Sequence, residues 1–140
     1  MRFVDTNILL HSLEQEPMQS AKAAIAMEIL ACADLVLSVQ VLQEFYVQAT
    51  HPRLPDALSH EFAMRLIQKW MRFRIQENTV SVLQEALLIK GRHEVSYWDA
   101  AILAAAQAAV CSEVLSEDLN SGQKYGLVTV VNPFLNVQMS

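Results

Sequence analysis

Three glycines, four prolines and two cysteines in 140 residues leave this chain poor in the residues that build linkers and disulfide frameworks. So little glycine and proline excludes a long flexible linker, and no repeat or low-complexity tract interrupts the chain. Cys32 and Cys111 form no C-x-x-C pattern and lie in alanine-rich, helical-looking settings. Reduced, buried thiols are therefore the expectation, with a disulfide as the alternative. The longest apolar run, Ala100 to Ala106, is too short to span a bilayer. The first ten residues do not read as a secretory signal, because Asp5 and Asn7 interrupt the apolar stretch. A cytoplasmic protein without membrane contact is expected. There is no glycine-rich phosphate loop and no G-x-S-x-G elbow. The four histidines, His11, His51, His60 and His93, never pair at metal-ligand spacing, and surface or loop roles suit them.

Charge of one sign is also scarce. Ten Lys and Arg stand against fifteen Asp and Glu, for a net charge of −5. Bulk charge alone argues against a nucleic-acid partner, since phosphate binding rests on cationic surface. That inference fails if several acids are gathered in one metal site while cations elsewhere meet phosphate.

What is present is core. Hydrophobic residues make up 53% of the chain and charged residues only 18%, the composition of a folded globule. The length suits one domain, residues 1–140. Arg2–Val4, running into Ile8-Leu9-Leu10, predicts a buried strand ending near Asp5. A helix follows through Ala21–Ala33, with Pro17 in its first turn. Leu35–Val39 predicts a second strand, and Val41–Thr50 a helix that stops before His51-Pro52. Asp56–Phe73 reads as a third helix, Ser81–Gly91 as a fourth and Ser96–Val110 as a fifth. Glu113–Ser116 and Leu127–Val131 read as strands, separated by a turn or short helix containing Gly122 and Gly126. Apolar strands alternating with helices predict an α/β sandwich with a central, mainly parallel sheet flanked by helices. Sites in such sheets form beyond the carboxyl ends of the strands. Asp5 and Asp118 both fall on that rim.

Four acids stand in apolar or strand-terminal company: Asp5, Glu44, Asp99 and Asp118. Each has an ordinary structural reading. Asp5 and Asp118 can cap helices, Ser96 and Asp99 can form a capping box, and Glu44 can face water. Together they point elsewhere. Like-charged carboxylates sharing a cleft must protonate or bind a cation. Oxygen donors without His or Cys favour a hard ion, Mg2+ or Mn2+. Such a site can polarise a phosphoryl oxygen and activate water for in-line attack on a phosphodiester.

The segments VDTN, VLQEFY, YWDAAILAAA and VLSEDLNSGQ, followed by LVTVVNPF, resemble the PIN domain along essentially the whole chain. They are similar in particular to the VapC-type toxins of bacterial toxin–antitoxin pairs. The resemblance implies a Mg2+- or Mn2+-dependent endoribonuclease with Asp5, Glu44, Asp99 and Asp118 as metal-holding catalytic acids. It implies supporting polar roles for Asn7 and Ser116, an RNA substrate, a cognate antitoxin and a homodimer. One departure concerns the position shortly after the fourth acid, where members often carry another acid and this chain has Asn120. Tight occupancy by a second metal ion is what that departure touches.

Arg65, Lys69 and Arg72 recur at helical spacing and can be read as an RNA-facing stripe or as a solvated helix face. Trp70 reads as core, and Tyr97 and Trp98 as core residues or as walls of the cleft. Two rival functions remain. One is a catalytically weak PIN-fold module that acts by binding a protein or RNA partner. The other is a small phosphatase with an aspartate nucleophile, against which Asn7 stands where a second aspartate is usual.

Overall fold

The computed structural model describes residues 1–14 and 20–136, with side chains given from residue 21 in the second segment. Among the described residues, six strands form one sheet: β1 (Arg2–Val4), β2 (Leu35–Ser38), β3 (Arg74–Gln76), β4 (Glu113–Leu115), β5 (Lys124–Tyr125) and β6 (Val128–Val131). Six helices connect them: α1 (Thr6–His11), α2 (Ser20–Leu30), α3 (Val39–Ala49), α4 (His60–Trp70), α5 (Val80–Arg92) and α6 (Tyr97–Ala108). The strand order is β3-β2-β1-β4-β6-β5. All pairings are parallel except β5 with β6. This is the expected α/β sandwich.

The order encodes a reversal. From β1 the chain steps outward through β2 to β3, then crosses back over β2 and β1 to reach β4. Right-handed crossovers place helices on opposite faces when the direction of travel changes. The packing agrees: α1 meets α2 and α3, α3 meets α4, and α6 covers β2, β3, β4 and β6 with α5 against it. The reversal falls between β1 and β4, in register at Val4 and Leu115. Ligand sites of open parallel sheets form at such a point.

Buried side chains agree with the sequence patterns. β2 is buried at all four positions, as a strand covered on both faces must be. Phe45 of α3 and Trp70 of α4 meet edge to face at 4.7 Å, so Trp70 is core. The small residues of α6 let it lie close on the sheet, with every residue from Ala100 to Ala106 buried.

Several expectations are corrected. The first strand stops at Val4, just before Asp5 as expected, but the Ile8-Leu9-Leu10 run after it forms a helix that was not anticipated: Asp5 accepts a hydrogen bond from the Thr6 N–H at 2.7 Å and starts α1 there. The third helix begins at His60 because Ser59 caps it, accepting from the Phe62 N–H at 3.2 Å. The short strands β3 and β5 were not anticipated, since three and two residues are too few to show a period. The segment between β4 and β6 holds no helix and instead turns back as the β5–β6 hairpin. Gly126, with φ +64°, begins its two-residue loop, where a left-handed residue matches the strand twist. Cys32 is exposed and only Cys111 is buried, both as free thiols. Pro17 lies outside the described residues.

Helix α6 ends in a Schellman arrangement, with the Cys111 N–H bonded to Ala106 O and the Val110 N–H to Gln107 O, both at 3.0 Å. The left-handed position is Val110, with φ +59°, where glycine is usual. A β-branched residue costs roughly 1–2 kcal/mol in that conformation, partly offset by the chain entropy that glycine adds to the unfolded state. Val110 is exposed, so no packing is lost on its removal. Val110→Gly is expected to stabilise the protein by about 0.5–1 kcal/mol, read as a higher midpoint in urea unfolding with an unchanged slope.

Candidate active site at the carboxyl rim

The first acid is seated by the sheet itself. The Asp5 N–H bonds to Leu115 O at 3.0 Å, extending the β1–β4 pairing by one residue beyond β1. That places the Asp5 side chain beside Ser116, whose hydroxyl donates to Asp5 Oδ2 at 2.8 Å. Asp5 is 5% exposed and Ser116 is fully buried. Burial pushes the Asp5 carboxyl up to about 6; the Ser116 and Thr6 hydrogen bonds oppose the rise, while the Asp118 and Glu44 charges add to it.

Asn7 and Ser116 set the fourth acid. The Asp118 N–H donates to Ser116 Oγ at 3.2 Å, and Asn7 Nδ2 donates to Asp118 Oδ2 at 3.2 Å. The Asn7 carbonyl oxygen accepts the Glu117 N–H at 3.2 Å, so one amide side chain grips the 116–118 turn at two points. Glu44 comes from the first layer of helices. Its Oε2 accepts from Thr6 Oγ1 at 2.9 Å and its Oε1 from Gln40 Nε2 at 3.1 Å. Asp99 comes from the opposite layer, in the first turn of α6, where Ser96 Oγ accepts the Asp99 N–H at 3.1 Å. Burial raises the Asp99 carboxyl above its usual range; Ser96 opposes this, and the charges of Asp118 and Glu44 reinforce it.

The four sequence-predicted acids therefore sit within electrostatic reach of one another on one rim, with Asn7 and Ser116 among them. None forms an ion pair with Lys, Arg or His among the described residues. The adjacent acid does. Glu117 Oε2 meets Lys22 Nζ at 2.6 Å and Glu117 Oε1 meets His11 Nε2 at 2.8 Å. Burial raises its carboxyl, but the hydrogen bonds from Lys22 and His11 outweigh that and hold it below the usual range. His11 is thus a helical residue tied to the site loop, not a loop residue.

Among the described residues, no group of three or more His, Cys, Asp or Glu side chains is arranged to hold a metal ion directly. Mg2+, however, is commonly bound through one or two carboxylates with retained water. Oxygen-only donors, mutual repulsion and a buried acid without a cation make a donor set of that kind. Asn120 lies apart, donating to Gln123 Oε1 at 3.2 Å.

The cationic stripe is not delivered to this rim. Arg72 donates to Leu30 O at 2.9 Å and to Lys69 O at 3.0 Å, and lies 4.2 Å from the Phe73 ring centre. Leu30 ends α2 and Arg72 precedes β3, so both lie toward the amino edge of the sheet, opposite the acids. Its guanidinium is held by backbone carbonyls at that edge, away from the four acids. Arg65 and Lys69 are exposed and hold none of the acids.

Two contributors escaped the sequence reading. Thr6 adjoins Asp5 in DTN, and its hydroxyl reaches Glu44 only because α3 packs on α1. Gln40 lies one helical turn before Glu44, a spacing that puts both on one face. The same amide nitrogen also donates to Trp98 O at 3.1 Å, joining α3 to α6. Of the two uses considered for Trp98, core residue or cleft wall, the second holds: it is 63% exposed and lines a cleft with Glu44.

Solved structures share this architecture. A toxin–antitoxin complex from Klebsiella pneumoniae matches with a TM-score of 0.70 and 20% identity, over 95% of this chain and 98% of that one. VapC20 of Mycobacterium tuberculosis, a sarcin–ricin loop cleaving toxin, matches at 0.63 and 20% identity, over 84% and 92%. FitAcB from Neisseria gonorrhoeae matches at 0.66 and 21% identity, over 96% and 99%. No curated protein matches the sequence. The PIN domain family model matches residues 2–124, which is most of the chain. The protein belongs to the PIN domain family.

Proposed function

We propose that the protein is a divalent-metal-dependent endoribonuclease, a single nuclease domain serving as the toxin of a toxin–antitoxin pair. The observation that supports this best is the rim of four carboxylates, without a cation partner among the described residues, placed at the reversal of strand order. The toxin–antitoxin proteins among the structural relatives support the toxin role. A cytoplasmic protein working as a homodimer, with a cognate antitoxin that masks the cleft, completes the reading.

Asp5, Glu44, Asp99 and Asp118 would hold Mg2+ or Mn2+, directly or through water, with Asn7 and Ser116 in support. Such an ion supplies Lewis acidity toward a phosphoryl oxygen and eases attack by water. The chain's own residues do the rest. Ser116 and the Thr6 N–H hold both oxygens of Asp5. Thr6 and Gln40 hold both oxygens of Glu44. Asn7 turns Asp118, the most exposed of the four, toward the cleft. Groups fixed before substrate arrives need not reorganise during the reaction.

Asp99→Asn is expected to abolish cleavage of RNA while leaving the unfolding midpoint near that of wild type. Full retained activity in gel assays with Mn2+ would remove Asp99 from the site. If partner-free wild-type protein with Mn2+ cuts no RNA but still captures a partner, the weakly catalytic binding module is the correct reading instead.

Burial of Asp5 also makes a stability prediction. In the ion-free folded protein Asp5 keeps its proton up to about pH 6, whereas an unfolded chain releases it near 3.8. Between these values the folded state binds the extra proton, so this group's cost is absent at low pH and grows as pH rises through the window. Asp5→Asn removes that cost. The ion-free variant is expected to be the more stable form above pH 6, by up to ~3 kcal/mol for two pKa units. Urea unfolding followed across pH checks this, and the advantage is expected to vanish on acidification. A variant less stable than wild type at neutral pH contradicts it.

A further inference from the structure

Trp98 is the residue immediately before Asp99, and its indole stands in solvent while the other tryptophan, Trp70, is buried. It borders an open cleft of about 330 Å³ whose other walls are Gln40, Gln43, Glu44, Val47 and Gln48. That volume lies at the lower end of small-ligand pockets, about 300–1,000 Å³. Two features make the cleft a built one. Gln40, itself buried, donates to both Glu44 Oε1 and Trp98 O, holding the platform and the acid on either side of the opening. Tyr97 meets the indole in a T-shaped contact at 5.1 Å and 77°, bracing the ring.

We infer that this cleft is a nucleobase subsite, in which an unpaired base of single-stranded RNA stacks on Trp98 beside the scissile phosphate. The inference rests on the nuclease reading for its substrate and goes beyond it by naming where a base is held. The chemistry of the walls favours this occupant. A flat, exposed aromatic face suits any base, and sequence-specific RNA recognition works chiefly on unstacked bases held against aromatic rings. Gln43 and Gln48 are exposed amides on the same cleft, each with donors and an acceptor for a base edge. Glu44 is shared between the cleft and the acid rim, so the subsite adjoins the acids. No cation lines it, so the contact is stacking and amide recognition rather than charge pairing.

The test uses the full chain and a short single-stranded oligoadenylate. Trp98→Ala is expected to raise KM for RNA on the order of tenfold, the effect of losing one stacked base, with kcat little changed. Trp98→Phe is expected to recover part of the loss. In an Asp99→Asn background, which keeps the oligonucleotide uncut, tryptophan emission is expected to be quenched by oligoadenylate, and Trp98→Phe is expected to remove that quenching. An unchanged KM together with no quenching overturns the subsite. So does conversion of a dimer to a monomer by Trp98→Ala in size-exclusion chromatography, which would assign the indole to a second copy. The two readings separate cleanly. Quenching without any cleavage by wild type sinks the nuclease and keeps the base site, whereas cleavage with an unaltered KM sinks the base site alone.

Discussion

The parallel seam between β1 and β4 is the constraint on which the rest of this molecule depends. The paired residues of these strands are 111 positions apart in sequence and adjacent in the sheet, with Arg2, Phe3 and Val4 paired to Glu113, Val114 and Leu115. Extending the seam by one hydrogen bond brings the Asp5 carboxylate to the Ser116 hydroxyl. The same register presents Asn7 to Asp118. A slip of one residue would turn every side chain to the opposite face, sending Phe3 to the wrong helix layer and separating Asp5 from Ser116. Core packing and site assembly are thus enforced by one pairing.

Around that seam the protein keeps two kinds of carboxylate side by side. Glu117 is paired with Lys22, bonded to His11, and serves as a clasp, fastening α1 and α2 to the turn that carries Asp118. Its neighbours on the rim have no such partners. Asp5 and Asp99 are both raised, first by burial and then by like charges, so the ion-free state bears an unfavourable electrostatic load. Strain of this kind is expected where binding of a cation relieves it. Hydrogen-bond donors rather than cations orient the acids, leaving their negative charge available.

Legibility followed the range of the interaction. Apolar runs and capping residues made β1, β2, β4, β6 and the ends of α3, α5 and α6 readable, because each is a local signal. The start of α1 at Thr6 was not readable from the run of apolar residues, since the same residues suit a strand or a buried helix. The capping role of Asp5 decided it. Strands β3 and β5 owe their conformation to neighbours in the sheet, which short stretches cannot announce. The four acids were noticeable individually as charges in apolar company. Thr6 and Gln40 were not, because an uncharged polar residue on a helix acquires meaning only from what lies across from it. The stripe of Arg65, Lys69 and Arg72 shows the converse: regular spacing made it conspicuous, and the fold turned Arg72 toward backbone carbonyls at the other edge.

The amino-acid sequence by itself determined the alternation of strands and helices, the mainly parallel sheet and the identity of the acids, because periodicity, capping and charge in an apolar setting are properties of short segments. Only the tertiary structure decided that Asp5 would be buried against Ser116, that Thr6 and Gln40 would each hold one oxygen of Glu44, and that Trp98 would stand open beside the rim. Those outcomes depend on strand order and on two helix layers meeting over the same edge. They are set by contacts between residues far apart along the chain, for which no local pattern carries the information.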